Sequence, residues 1–224
     1  MFRLAVPVRW RAVMAVTAFG LACLALGVGG AVWYALRCNV LDYIERAAAS
    51  PSNPRQQYLF ACGYLYESVD GGQTWLRRES TGLPFGAREG WVAVDRQPGV
   101  LYLGTTIFTN SSAYCWNCAW TYLRPAIFVS TDGGKTWQFA YRFRRGPANQ
   151  SSFLGLYADP DKAGFVWAIV KNRDEISHYA TATHGYNWKR MCYEYYFVGS
   201  GCAVPESIRR LTRLETGAEG GGVK

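Results

Sequence analysis

One octapeptide occurs twice in this chain, as Ser68-Val-Asp70-Gly-Gly72-Gln-Thr74-Trp75 and as Ser130-Thr-Asp132-Gly-Gly134-Lys-Thr136-Trp137. Both copies fit S-x-D-x-G-x-T-W, and five fixed positions rarely recur by chance in 224 residues. A degenerate third copy reads Thr181-Ala-Thr183-His-Gly185-Tyr-Asn187-Trp188. It keeps the Gly and the Trp in place, with Thr for both Ser and Asp and with Asn for Thr. The pattern dictates a local structure. Asp-Gly-Gly between apolar runs turns the chain back on itself, because glycine adopts positive φ at no steric cost. The carboxylate accepts N–H groups of its own turn, helped by the Ser and Thr hydroxyls. The Trp buries a large ring over the hairpin, and its N–H needs an acceptor. These roles are structural. A general-acid or metal-ligand role for Asp70 or Asp132 requires a site geometry that the motif does not supply.

The motif resembles the Asp-box, or BNR repeat, of sialidases, sortilin-type receptors and photosystem II stability/assembly factors, over roughly residues 50–200. A turn and an aromatic-rich strand precede each box: Ser50–Pro54 before Tyr58–Ala61, Asp95–Gly99 before Leu101–Gly104, and Asp159–Asp161 before Phe165–Ala168. With boxes starting at residues 68, 130 and 181, such units read as four-stranded antiparallel propeller blades. Trp91–Asp95 and Phe153–Tyr157 alternate as inner strands should. In the first unit Asn39–Ala49 reads as helix instead, so blade one is expected to be incomplete. The fold class is therefore all-β: about three Asp-box blades in an incomplete, propeller-like array, preceded by one N-terminal transmembrane helix. Closed propellers usually need four to eight blades. Stacked repeats need caps or partners: either the chain's own tails cap the array or another subunit covers the open faces, and the second is the expectation.

Location is read from the N-terminus. Residues 12–36 carry no charge, a run long enough to cross a bilayer as a helix. Arg3, Arg9 and Arg11 precede it, whereas Arg37 and Arg46 after it are offset by Asp42 and Glu45. The positive-inside rule then puts residues 1–11 in the cytoplasm and the repeats, residues 37–203, outside. Trp10 and the Trp33-Tyr34 pair suit the two interfaces. A cleaved signal peptide ending near Gly29-Gly-Ala31 is the alternative, but the apolar run is long for one. Inner-membrane localisation, single-pass with a periplasmic or extracellular main domain, is the resulting expectation.

The net charge is +8, scattered apart from Arg142, Arg144-Arg145 and Arg209-Arg210. No nucleic-acid module is legible, so the basic residues face solvent, lipid headgroups or an acidic partner. Six cysteines lie beyond the span, at 38, 62, 115, 118, 192 and 202. An even number in an oxidising compartment points to disulfides. Cys192 and Cys202 flank a strand and loop and can pair. Cys115-Trp-Asn-Cys118 lacks the His of a haem site and the second CxxC of a zinc site, so it reads as a local disulfide, and no metal or cofactor is expected. That CxxC lies in an insertion, residues 109–125, whose Tyr114, Trp116, Trp120 and Tyr122 are read as partner anchors. From Pro205 onward, within the C-terminal region 204–224, Ile208, Leu211 and Leu214 recur every three residues with arginines between them. They mark a short amphipathic helix with a second set of partner contacts.

Three function classes stand. The preferred one is a non-catalytic, membrane-anchored accessory subunit. It would stabilise a multi-subunit membrane complex on its exterior face, among other membrane-protein subunits and lipid. The resemblance to assembly factors implies a photosynthetic or other bioenergetic host. The alternatives are an exterior glycan- or peptide-binding receptor module and a sialidase-like glycoside hydrolase. The hydrolase needs a full propeller with an arginine triad and a Tyr/Glu pair, for which the chain is short.

Overall fold

The structure, a computed structural model, describes residues 39–83, 87, 90–110, 121–143, 151–172, 175–195 and 202–217. Three antiparallel sheets of four strands follow one another along the chain. Blade 1 comprises β1 (Ala48–Ser50), β2 (Asn53–Ala61), β3 (Tyr64–Ser68) and β4 (Leu76–Arg78). Blade 2 comprises β5 (Gly90–Val94), β6 (Leu101–Asn110), β7 (Thr121–Ser130) and β8 (Gln138–Arg142). Blade 3 comprises β9 (Ser151–Ala158), β10 (Val166–Asn172), β11 (Glu175–Thr181) and β12 (Lys189–Tyr195). Every neighbouring pair in these sheets is a sequential antiparallel connection, so each sheet is a meander, the pattern of a propeller blade.

Strand periodicity explains how the blades stack. Successive side chains on a strand point to opposite faces, and blade 2 is apolar on both. On one face Val92, Val94, Leu101, Leu103 and Phe128 pack with Tyr58, Phe60 and Leu65 of blade 1. On the other, Ala93, Tyr102, Ile127 and Val129 pack with Leu156, Val170 and Tyr179 of blade 3. The near-continuous apolar run Val100–Leu103 is thus a strand buried on both sides, as expected of a middle blade. Phe143 joins the second layer, with its ring 4.6 Å from Tyr179 and 5.7 Å from both Phe153 and Trp188.

The ends of the array differ from expectation in two ways. Blade 1 has all four strands. Val40–Arg46 is helical, as a 3-10 helix packed on β2, but Ala48 and Ala49 leave it to form the inner strand against Tyr58 and Gln57. The alanine run that suggested helix yields to strand pairing with the neighbouring segment, a tertiary override of local propensity. The second difference lies beyond blade 3. Its outward face carries Tyr157, Trp167 and Ala180, and helix α1 (Glu206–Gly217) lies on it with Ile208 fully buried and Leu211 alongside. Ile208 and Leu211, expected to meet a partner, instead cap their own domain. The apolar contact of Ile208 and Leu211 is with blade 3.

The insertion is also shorter than the spacing suggested. β6 and β7 pair from Leu101↔Ser130 out to Asn110↔Thr121, with Tyr122 opposite Thr109, so its flanks are strand. Tyr114, Trp116, Trp120, Cys115 and Cys118 lie outside the described residues, as do residues 1–38, the tail from 218, and the side chains of Tyr122 and Leu214. Among the described residues no helix is long and apolar enough to cross a membrane.

The cap makes a stability prediction. Ile208→Ala removes a fully buried aliphatic side chain and should lower the unfolding free energy by about 2–5 kcal/mol in urea titration. Arg210→Ala breaks only an exposed pair with Asp161 and should cost less than about 1 kcal/mol. Equal, small effects would mean that α1 is not part of the folded unit.

Candidate functional site

The two intact boxes have the same internal wiring. In the first, Ser68 Oγ donates to Asp70 Oδ1 at 2.7 Å and accepts the Gly72 N–H at 2.8 Å. Asp70 Oδ1 also accepts the N–H groups of Gln73 and Thr74, each at 3.0 Å, and Oδ2 accepts the Thr74 hydroxyl at 2.6 Å. In the second, Asp132 takes the Ser130 hydroxyl at 2.8 Å, the Thr136 N–H at 2.9 Å and the Thr136 hydroxyl at 2.6 Å. Gly71, Gly72, Gly133 and Gly134 all have φ between 72° and 91°, the left-handed region that glycine enters without penalty. Donation to the charged carboxylate stabilises it. The Thr136 hydroxyl, then its amide, bring the Asp132 carboxyl down to about 2. The Thr74 hydroxyl and amide hold Asp70 well below the usual carboxylate range.

The third copy keeps the shape with weaker parts. Thr183 Oγ1 lies 3.1 Å from Thr181 Oγ1 and accepts the Asn187 N–H at 3.0 Å, standing in for the carboxylate. His184 takes the first positive-φ position, at 51°, followed by Gly185 at 86°. His184 is therefore a turn residue, as its place in the motif implied. Its Nδ1 lies 3.4 Å from the Tyr102 hydroxyl of blade 2.

The second and third boxes lie at the joints between blades. Trp137 donates its indole N–H to Gly134 O at 3.1 Å and lies in the layer between blades 1 and 2. Trp188 donates to Gly185 O at 2.6 Å and lies between blades 2 and 3. A Cβ on Gly134 would come within 2.3 Å of Leu65, and one on Gly185 within 2.9 Å of Val129. Each box thus presses on the blade before it. No described strand precedes blade 1, and in box 1 Trp75 is half-buried, with no acceptor for its Nε1 among the described residues.

A second joint was missed by sequence reasoning. Asp95 and Asp159 occupy equivalent turns, each accepting the N–H two residues on at 2.8 Å. Asp95 Oδ2 also accepts the Tyr102 hydroxyl at 2.6 Å and the Gly164 N–H of blade 3 at 2.9 Å. Burial and this hydrogen bond push the Tyr102 phenol up. In Asp159 the same oxygen accepts the Ser207 hydroxyl of α1 at 2.8 Å. Helix α1 therefore satisfies blade 3 as blade 3 satisfies blade 2. The signal in the sequence is the repeated Asp turn before Val100 and Phe165.

The cysteine pair Cys192–Cys202 is a disulfide with Cα atoms 5.6 Å apart, tying β12 to the segment that leads into α1. Cys62 also sits in a disulfide. A ring nitrogen of His178 and the sulfurs of Cys192 and Cys202 lie within 4.8 Å of one another, a ligand-like trio. The bonded sulfurs offer no thiolate, and His178 Nδ1 accepts the Trp167 indole N–H at 3.2 Å. The trio does not fit a metal ion in this state. A Tyr/Glu/Arg cluster exists at the joint of blades 1 and 2, where Gln56 bridges Tyr58 and Glu67 at 2.8 Å each and Arg78 pairs with Glu67 at 3.1 Å. Burial and Glu67 push the Tyr58 phenol up to about 12. That is the opposite of what a nucleophilic tyrosine needs.

No protein-family model and no curated protein matches this sequence. Among solved structures, YCF48 from Cyanidioschyzon merolae is similar, with a TM-score of 0.44 and 18% identity over 70% of this chain. A structure of YCF48 bound to D1 peptide has a TM-score of 0.42 and 18% identity over 66% of the chain. A GH74 xyloglucanase from Xanthomonas campestris has a TM-score of 0.42 and 18% identity over 62% of the chain and 19% of its own length. The chain spans 42% and 40% of the two YCF48 structures. Likeness at this level says nothing of what this chain binds or does.

Two expectations follow from the boxes. Trp137→Ala opens the joint of blades 1 and 2 and should destabilise the domain by about 3–5 kcal/mol in urea titration. Asp132→Asn should cost less, because an amide oxygen still accepts the turn donors. A larger loss for Asp132→Asn would contradict the ranking.

Acid should act through the same carboxylates. Their folded pKa values lie below the ordinary 3.8, so the unfolded chain binds more protons. The stabilisation is complete above about pH 4 and is lost as pH falls toward 2. Thr136→Val removes the main cause of the Asp132 shift and should narrow that window toward pH 3.8. Urea midpoints measured from pH 6 to 2 test this, and an unchanged profile in the variant would refute it.

Proposed function

We propose that this chain is a non-catalytic accessory subunit, anchored by its uncharged N-terminal run, whose β domain braces a multi-subunit membrane complex on the exterior face. A photosynthetic or other bioenergetic complex is the proposed host. The observation that carries this reading is the wiring of the boxes. The acidic and hydroxyl groups of both intact boxes hold turns, and Trp137 and Trp188 lie between blades, so the motif supports a scaffold.

The outer strands add to it. Arg77 lies 3.5 Å from the Tyr64 ring, Arg142 5.6 Å from Phe139 and Arg190 4.7 Å from Tyr193. These rings are 40%, 50% and 45% exposed. Each blade thus offers an arginine–aromatic pair on or beside its last strand. Arginine and aromatic residues are the types enriched at interfaces and hot spots. With Arg3, Arg9 and Arg11 set aside, 21 basic against 16 acidic residues leave a net charge of +5, which suits an acidic partner or anionic headgroups.

Purification of the tagged full chain from native membranes in mild detergent should recover a defined set of other membrane subunits, with pigment or haem if the host is bioenergetic. Phe139→Ser combined with Arg142→Ser should reduce recovery while circular dichroism stays unchanged. A folded chain that runs alone, or that is retained by a glycan resin, would overturn the subunit reading.

A further inference from the structure

The Cys192–Cys202 bond sits where a blade meets the helix that caps it. Cys192 belongs to β12, and Cys202 stands in the segment that leads into α1. From Val204 onward that segment packs on blade 3, with Val204, Ile208 and Leu211 over Tyr157, Trp167 and Ala180. Ser207 adds its bond to Asp159. We propose that this disulfide is a reducible latch: a dithiol reductant opens it, His178 eases the opening, and α1 is then released from blade 3. This goes beyond the scaffold role and does not depend on it.

His178 distinguishes the bond from a passive staple. β11 and β12 pair His178 with Cys192, and a ring nitrogen of His178 and the two sulfurs lie within 4.8 Å of one another. The ring is buried, and its Nδ1 accepts the Trp167 indole N–H at 3.2 Å. A nitrogen that accepts carries no proton, so the neutral ring keeps its proton on Nε2. Reduction begins when one thiolate of the dithiol attacks one sulfur and the other sulfur leaves as a thiolate. With the imidazole in the same cluster, its N–H gives the departing thiolate a hydrogen bond, and bonds to a charged acceptor are the strong ones. The second sulfur of the reductant then displaces the mixed disulfide. Two electrons and two protons pass to Cys192 and Cys202, and the reductant leaves as a disulfide. Both cysteines are half-buried, so a small dithiol reaches them.

Opening the bond acts on α1 before it acts on the blades. The cysteines are 10 residues apart in sequence, and the bond closes that loop. Breaking it returns freedom to the segment that carries the cap. Cys202 belongs to no strand and to neither layer between blades. The layer under α1 is smaller than either of those, so it is the joint that yields first.

The test takes the full chain, held in amphipol, through a series of ratios of reduced to oxidised dithiothreitol. Acid quenching, alkylation and peptide mapping read the state of Cys192 and Cys202. Hydrogen exchange reads Glu206–Gly217 in the same samples. Reduction should speed exchange there at least about tenfold while β2, β6 and β10 keep their protection, and reoxidation should reverse it. His178→Leu removes the donor and should slow reduction about tenfold. His178→Gln retains an acceptor for Trp167 and a donor for sulfur, and should recover most of the rate. Reduction that leaves α1 exchange unchanged, or that exposes the blades together with α1, would overturn the latch. So would wild-type rates in His178→Leu, or His178→Gln as slow as His178→Leu. Should His178→Leu fail to fold, His178→Met takes its place as the variant without a donor.

Discussion

Two consecutive glycines at positive φ make a turn that the unfolded chain can form but has little reason to keep. The carboxylate of Asp70 or Asp132 changes this, because it collects backbone and hydroxyl donors that converge only when the turn is closed. The closed turn then sets the direction of the Trp that follows, and Trp137 closes the layer between blades 1 and 2. Charge-assisted hydrogen bonds in a surface turn thereby fix hydrophobic packing beneath it. The third copy shows which part is dispensable. With Thr183 replacing the carboxylate, Trp188 still reaches Gly185 O, because positive φ and the indole contact survive. The carboxylate strengthens the turn, whereas Gly and Trp define the joint.

Blade-to-blade adhesion rests on a second, more buried set of groups. Asp95 and Asp159 each hold their own turn with one oxygen and reach the following element with the other. Repeat arrays are stable when every interface is satisfied and the terminal ones are capped. Here the cap is a helix that offers a Ser hydroxyl where a further blade would offer an amide. Ile208 fills the apolar face at the same time. Counting blades left two covers open for this face, the chain's own tail or another chain, and the tail takes it.

Much of this architecture was legible because strand patterns and box spacing are local signals. The inner strands Trp91–Val94 and Phe153–Tyr157, the turns, and the pairing of Cys192 with Cys202 are found where the sequence placed them. Errors arose where a local signal was ambiguous about its partner. The stripe Ile208 and Leu211 announced an apolar contact but not with what. Ala48 and Ala49 favour helix locally and became strand because β2 offers a ladder. Asp95, Tyr102 and Ser207 were not recognised, because their value depends on groups 48 to 82 residues away. No window of the sequence displays that separation.

The array has a direction, and its two ends are treated differently. Boxes 2 and 3 press on the preceding blade, whereas in box 1 Trp75 keeps a buried indole N–H without an acceptor among the described residues. The opposite end, the outer face of blade 3, is filled by α1. Stacking of copies head to tail would need both ends free, and heterologous contacts of that kind propagate into rings or filaments. With Ile208 buried against Trp167 and Ser207 on Asp159, the receiving face is already occupied. A helix tethered through Cys202 to β12 is also held near its site, at high effective concentration. An incoming blade would have to displace a segment that cannot diffuse away. The same helix that completes the core thus opposes open-ended self-association.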